Sequence, residues 1–215
     1  MTEQERPETS TNRSRARDIT ALAILTVTAV LTAWSGFEAS KWGGEMSIAF
    51  SRASSQRIEA ARWTATADAA RGYDLQTFAL YVEAVARDDT ELATFVQARF
   101  ADRFRPAFDE WLATRPLQDP DAPPSPFALD SYQPPGVAEA AEADARADAY
   151  FDAALRNNQR GDNYTLLTVL FALVLFFTAM SERAKRTLPR RGLLVLAGGL
   201  FVLGVVLLAT FPKIV

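Results

Sequence analysis

Three uncharged apolar runs restrict the fold of this chain more than any other feature. They cover residues 19–37, 164–181 and 192–211, and none contains Asp, Glu, Lys or Arg. At a helical rise of about 1.5 Å per residue, each is just long enough for a hydrocarbon core of about 30 Å. Buried helices of water-soluble proteins usually keep a polar stripe, which these runs lack. The sequence therefore predicts three transmembrane helices.

The first run has a competing interpretation as a signal peptide. Arg13, Arg15 and Arg17 would then form the basic region that precedes the apolar stretch. No clean small-x-small cleavage site follows, because Phe37 and Glu38 flank the only candidate. We therefore expect the run to remain as a membrane anchor.

The placement of basic residues predicts the orientation. The tail 1–18 is expected to be a disordered cytoplasmic segment, and the linker 182–191 a basic cytoplasmic one, because loops rich in Lys and Arg stay inside. Residues 38–163 and the stub 212–215 then lie outside. The composition is typical of a high-GC bacterium, so we predict the bacterial inner (plasma) membrane. The basic residues in the two cytoplasmic segments are Arg6, Arg13, Arg15, Arg17, Arg183, Lys185, Arg186, Arg190 and Arg191.

Composition excludes several functions for the segment 38–163. It has 21 acidic and 13 basic residues, and this balance argues against binding of nucleic acid or anionic lipid. The chain has no Cys and no His, which rules out disulfides, a Ser-His-Asp triad and His-ligated metal sites. We predict no catalytic residue, no metal site and no cofactor.

Helical spacing dominates the segment 38–163 and predicts an all-α fold, an antiparallel helical bundle. Gly43-Gly44 is a plausible hinge, and Gly72 a plausible break. Residues 88–91 resemble a helix cap and first turn, and Pro106 should either kink the helix that follows or divide it in two. Two apolar helical faces are predicted, and the second, which is aromatic, is interpreted as core. The first has Leu75, Phe78, Val82 and Val85; the second has Val96, Phe100, Phe104, Phe108, Trp111 and Leu112.

Residues 116–135 hold seven of the eleven prolines and cannot form a regular helix. Phe127, Leu129 and Tyr132 are expected to fix this loop to the helices. We favour a surface connector over the alternative, a partner-docking element of polyproline character.

The chain after Gly136 is rich in alanine and predicts a helix that continues into the second span. One seam of this helix contains Ala140, Ala143, Ala147, Tyr150, Phe151, Ala154 and Asn158. Small residues on such a seam allow close helix packing. In the third span Gly198, Gly199 and Gly204 could do the same, but they lack GxxxG spacing.

The charged clusters of the segment 38–163 are interpreted as solvated surface. Adjacent carboxylates, as in Asp88-Asp89 and Asp109-Glu110, point in different directions from a helix and form no catalytic dyad. Arg99, Arg103 and Arg105 are expected to pair within their own helix with Asp102, Asp109 and Glu110. Five further acidic residues could attract a divalent cation only weakly, since they lack EF-hand spacing. These are Glu139, Glu142, Asp144, Asp148 and Asp152.

The layout resembles a class of small bacterial three-pass membrane proteins of unknown function with a helical extracytoplasmic segment. The residues that carry the resemblance are the stretch 34–40, the Arg- and Ala-rich stretch after Ser51, and Asp162-Asn163-Tyr164. The resemblance implies this topology and no particular activity.

Three functions stay open, and none is enzymatic. The first is a membrane-anchored scaffold or interaction protein, the second a periplasmic sensor acting through a partner membrane protein, and the third a channel or transporter accessory subunit. Expected partners are membrane lipid and either a second copy or another membrane protein, with no nucleic acid and no small-molecule ligand.

Overall fold

The structure, a computed structural model, describes residues 9–116, 118–183 and 187–214. Within these ranges it is helical and contains no strand, which confirms the all-α class. The five α-helices are α1 (Thr9–Ala86), α2 (Thr90–Gln97), α3 (Arg105–Ala113), α4 (Val137–Arg183) and α5 (Thr187–Thr210), and a 3-10 helix covers Pro126–Ala128.

Three of the described helices, α1, α4 and α5, are long and apolar enough to cross a membrane. The helices extend beyond the predicted apolar runs at two places. Residues 9–18, expected to be disordered, belong to α1, while residues 1–8 lie outside the described part. The predicted linker 182–191 is mostly helical, since α4 ends at Arg183 and α5 begins at Thr187, with 184–186 outside the described part. Arg and Glu are good helix formers, so a helix can extend past its apolar stretch.

The expected glycine hinges do not interrupt α1. The helix runs through Gly43, Gly44 and Gly72 over 78 residues. A glycine inside a helix costs only about 1 kcal/mol relative to alanine. Buried neighbours such as Trp42 and Ala49 supply packing that offsets this cost.

The chain divides into two compact units, each described here by itself. Unit 1 comprises residues 1–50 and 151–215, and unit 2 comprises residues 51–150. In unit 2, α1 buries Ala53, Ala60 and Ala67 at intervals of seven residues. A heptad of small residues permits close helix packing.

The alanine seam of α4 is confirmed in part. Ala143, Ala147 and Ala154 are fully buried, whereas Phe151 and Asn158 are exposed. Helical spacing places all of these residues near one face, but it does not show which of them a packing partner covers.

An aromatic core fills unit 2. The second predicted face is correct for Val96, Phe100, Phe104, Phe108 and Trp111, which are buried in one cluster with Phe78. Most of its ring pairs meet edge to face, as aromatic quadrupoles prefer; Phe100 and Phe108, for example, are 4.8 Å apart between centroids. The predicted end signals are confirmed as well. Asp89 caps α2 by accepting a 2.9 Å hydrogen bond from the Leu92 amide, and Pro106 lies in the first turn of α3.

Candidate functional site

The proline-rich loop is fixed to the aromatic core of unit 2. The indole Nε1 of Trp111 donates a 2.8 Å hydrogen bond to the Pro123 carbonyl. Phe127, Leu129 and Tyr132 pack against the core, as predicted. Because the loop is held at several points, it forms one wall of a defined surface.

That surface is a groove of about 650 Å³ that is partly open to solvent. The end of α1 forms one wall, and the end of α3 with the proline-rich loop forms the other. Val82 and Leu112 lie in it and are 43% and 44% exposed, so the predicted core position of Leu112 is wrong. The lining residues are Phe78, Tyr81, Val82, Val85, Ala86, Trp111, Leu112, Arg115, Pro116, Gln118, Asp119, Pro120, Ala122, Pro123 and Pro124.

The core prediction for Leu112 was wrong for a physical reason. On the first predicted face as well, Leu75 and Val82 are exposed while Phe78 is buried. Helical spacing shows which residues share a face, but it does not show how far the packing partner extends along that face. Here the packing within the unit covers Trp111, which is buried. The apolar face continues to Leu112, which is exposed in the groove.

Arg115 lies at the groove in an unusual backbone conformation. Its φ of 54° is left-handed, a region that favours glycine. The conformation ends α3: the Arg115 amide donates to the Leu112 carbonyl at 3.1 Å, and its own carbonyl accepts from Gln118 and Asp119. Among the described residues, its guanidinium has no ion-pair or hydrogen-bond partner.

A buried polar network lies beside the aromatic core of unit 2. Asp74 is fully buried and accepts two hydrogen bonds from Arg103, at 3.1 Å and 2.9 Å. It also accepts a 3.0 Å hydrogen bond from the Tyr132 hydroxyl. Burial and this contact with Asp74 raise the pKa of Tyr132 well above its usual range. The carboxylate is thus satisfied by hydrogen bonds within the unit, which gives the network a structural role.

The predicted pairing of the arginines after α2 is partly wrong. Arg105 pairs with Asp102 at 3.6 Å, as expected. Arg103 instead reaches Asp74, 29 residues away, and the Arg99 guanidinium lies 3.3 Å from the centre of the Phe95 ring. Spacing within one helix could not reveal Asp74 as the partner of Arg103, whereas Phe95 lies only four residues before Arg99.

The acidic residues of α4 contact arginines. Asp144 and Asp148 both accept hydrogen bonds from Arg57, and these bonds raise the Arg57 pKa. Glu142 pairs with Arg146 at 2.6 Å. In the described ranges, no group of three or more acidic side chains could hold a metal ion.

A second polar site lies in unit 1 and was not predicted. Glu38, which follows the first apolar run, is fully buried. Its Oε2 accepts a 3.0 Å hydrogen bond from the Ile214 amide, while Tyr164 donates one of 3.0 Å to the Pro212 carbonyl. The C-terminal residues are therefore fixed to two helices. In the sequence, the only sign of this polar site is that Glu38 directly follows the first apolar run, residues 19–37.

Comparisons with known proteins give no match to this chain among protein-family models, curated proteins or solved structures.

Proposed function

We propose that this chain is a non-enzymatic interaction protein, anchored in the bacterial inner membrane by three helices, that presents unit 2 outside the cytoplasm. The apolar helices α1, α4 and α5 support the anchoring. The excess of basic residues in the tail and in the linker 182–191 supports the orientation.

An antiparallel pairing of α1 with α4 in unit 2 belongs to this proposal. Its support is the order of the contacts. Arg52 lies over the Tyr150 ring, Gln56 accepts a hydrogen bond from Arg146, and Arg57 contacts Asp144. Residue numbers rise along one helix as they fall along the other.

The groove of unit 2 carries the proposal of an interaction role. Exposed Val82 and Leu112 leave apolar surface in contact with water beside a rigid aromatic core. Concave apolar surface with a few polar groups at its edge is the usual form of a binding site. The Asp74 network, by contrast, has its hydrogen bonds within the unit and offers no such surface.

Site-specific photo-crosslinking in native membranes tests the interaction role. A photoreactive residue replaces Leu112 in the groove, and a matched variant carries it at Ile58, which is also in unit 2, is 54% exposed and lies outside the groove. We expect a discrete adduct with a partner or a second copy from position 112 only. Equal adduct patterns from both positions, or none from position 112, would contradict the proposal.

The topology is tested separately with thiol labelling, since the chain has no native cysteine. We expect a membrane-impermeant maleimide applied to spheroplasts to label Asp121→Cys and to leave Thr187→Cys unlabelled until the membrane is opened. The reverse pattern would overturn the orientation.

A sensor that acts through a partner membrane protein is the second candidate. The observation that favours it is the continuity of α1 and α4, each of which includes both an apolar stretch and residues of unit 2. Deleting residues 90–134 should abolish a response only under this function, with the partner still present.

A further inference from the structure

We propose that the groove of unit 2 binds an amphiphile with an apolar chain and a single anionic headgroup, of the fatty-acid carboxylate class. This inference rests on the proposed role of the groove as a binding surface, and it names the chemistry of the occupant. It departs from the sequence-based expectations of no small-molecule ligand and no binding of anionic lipid, because a local cation in the groove, Arg115, acts against the acidic balance of the whole segment.

The size and walls of the groove fit an apolar chain. Its volume of about 650 Å³ falls within the range of about 300–1,000 Å³ that is typical of small-molecule sites. Phe78, Trp111 and Leu112 present aromatic and aliphatic surface, and the proline rings of the loop complete the opposite wall. Transfer of an alkyl chain from water to this surface is favourable because it removes apolar area from solvent.

Arg115 provides the charge complementarity. It is the only cationic side chain among the residues that line the groove. Its guanidinium is free of partners in the described part of the chain, and it can bind a carboxylate with two parallel hydrogen bonds. An unpaired cation beside apolar walls matches a ligand that combines one negative charge with a hydrocarbon chain.

The backbone of Arg115 is a second observation that points to its side chain. Helices that end in a left-handed residue usually have glycine or asparagine at that position. Here an arginine adopts a φ of 54° and extends its side chain at the groove. Strained backbone of this kind concentrates at binding sites, where a side chain is needed in spite of its cost.

Asp119 restricts the charge of the ligand. Its carboxylate also lines the groove, and its Oδ1 accepts a 2.9 Å hydrogen bond from the Asp121 amide. Because the lining has one cation and one carboxylate, a second negative charge on the ligand, as in a phosphate monoester dianion, would find no cation to pair with it. A monocarboxylate can place its headgroup on Arg115 and its chain between Val82 and Leu112.

Photoaffinity labelling of the full chain in lipid nanodiscs tests the inference. The probe is a medium-chain fatty acid with a diazirine near its methyl end, and the primary alcohol of the same chain length is the comparison. Adducts are mapped to peptides by mass spectrometry, which separates groove peptides from the lipid-facing spans. We expect carboxylate adducts in residues 78–86 or 111–124, and about fivefold fewer adducts there with the alcohol.

Two arginine variants separate a binding role of Arg115 from general surface charge. Arg115→Gln should reduce groove labelling by about fivefold, whereas Arg62→Gln, an exposed arginine outside the groove, should leave it unchanged. Circular dichroism confirms that both variants are folded, and Arg115→Lys replaces Arg115→Gln if the latter is not. Labelling confined to the spans, or equal labelling with the alcohol or in the Arg115 variant, would overturn the inference.

The two experiments together distinguish a failure of this inference from a failure of the proposed function. If position 112 crosslinks to a protein partner while the fatty acid labels only the spans, the interaction role stands and this ligand is wrong. If the fatty acid labels the groove and position 112 gives no protein adduct, the occupant is a small amphiphile and the partner-binding role is wrong.

Discussion

Asp74 and Arg103, 29 residues apart in the sequence, form two hydrogen bonds in unit 2, from Nε to Oδ2 at 3.1 Å and from Nη2 to Oδ1 at 2.9 Å. Arg103 also donates to the Ala70 carbonyl at 3.2 Å, and Tyr132 donates to Asp74. One carboxylate thus connects α1, the turn before α3 and the proline-rich loop. The groove depends on all three segments.

Replacing Arg103 with alanine should destabilise unit 2 by about 3 kcal/mol, because it leaves a fully buried carboxylate without its cation. Arg87→Ala is the control. Arg87 pairs with Glu83 at 2.5 Å on an exposed surface, and such pairs contribute about 0–1 kcal/mol. Urea unfolding of the detergent-solubilised chain, followed by near-ultraviolet circular dichroism, measures both. Equal losses of unfolding free energy in the two variants would contradict a larger contribution from the buried Asp74–Arg103 pair.

Tyr132→Phe should lower stability at neutral pH by about 1–2 kcal/mol, since Asp74 loses one hydrogen bond from the hydroxyl. The pKa of Tyr132 is raised in the folded state, so the neutral hydroxyl is the form that folding favours. Its contribution is therefore fully present below the unfolded-state pKa of about 10 and is lost as pH rises through the higher folded-state pKa.

The pH dependence is read from the difference in unfolding free energy between the wild type and Tyr132→Phe. This difference should be constant from neutral pH to about pH 9 and should shrink above about pH 10. Subtraction removes the titration of the other tyrosines. A difference that grows with alkaline pH would show that the ionised tyrosine is favoured, contrary to the structure.

Replacement by alanine should change the stability in opposite directions at two glycines, Gly136 and Gly72. Gly136 has a φ of 96°, and a Cβ added there would lie 2.6 Å from the Trp63 carbonyl oxygen. Gly136→Ala should therefore cost at least about 1–3 kcal/mol. Gly72 is helical with open space around it, so Gly72→Ala should stabilise by about 0.5–1 kcal/mol. Thermal unfolding measures the stability of the two variants. A Gly136→Ala variant as stable as the wild type would contradict the close approach of Gly136 to the Trp63 carbonyl oxygen.

Local signals in the sequence predicted local structure well. The Asp89 cap and the division of the aromatic stripe at Pro106 depend on residues within a few positions of one another. The anchoring of the proline-rich loop was predicted from its own apolar residues, although their partners are distant in the sequence. The Asp74–Arg103 pair was not predictable in this way, because each residue has nearer partners of opposite charge along the chain. Its formation depends on which surfaces meet in the folded unit.

The groove shows the same limitation. The sequence correctly identified Val82 and Leu112 as members of apolar faces, but the assignment of Leu112 to the core was wrong because its side chain is only partly covered in the described part of unit 2. The role of Arg115 was also missed, since a left-handed φ at a non-glycine residue leaves no compositional signal. Binding surface and core are built from the same residue types, and only the packed structure separates them.

The last prediction concerns Glu38, which is fully buried in unit 1 and accepts the Ile214 amide hydrogen bond at 3.0 Å. Removing the carboxylate should release the C-terminal residues. In a Lys213→Cys background, Glu38→Ala should raise the rate of maleimide labelling about tenfold, which corresponds to the loss of one hydrogen bond. Glu38→Gln keeps a carbonyl oxygen for the amide and should label at nearly the original rate. Glu45→Ala, an exposed glutamate on the same helix, is the control. If Glu38→Gln and Glu45→Ala both label as fast as Glu38→Ala, the hydrogen bond to Ile214 does not hold the segment.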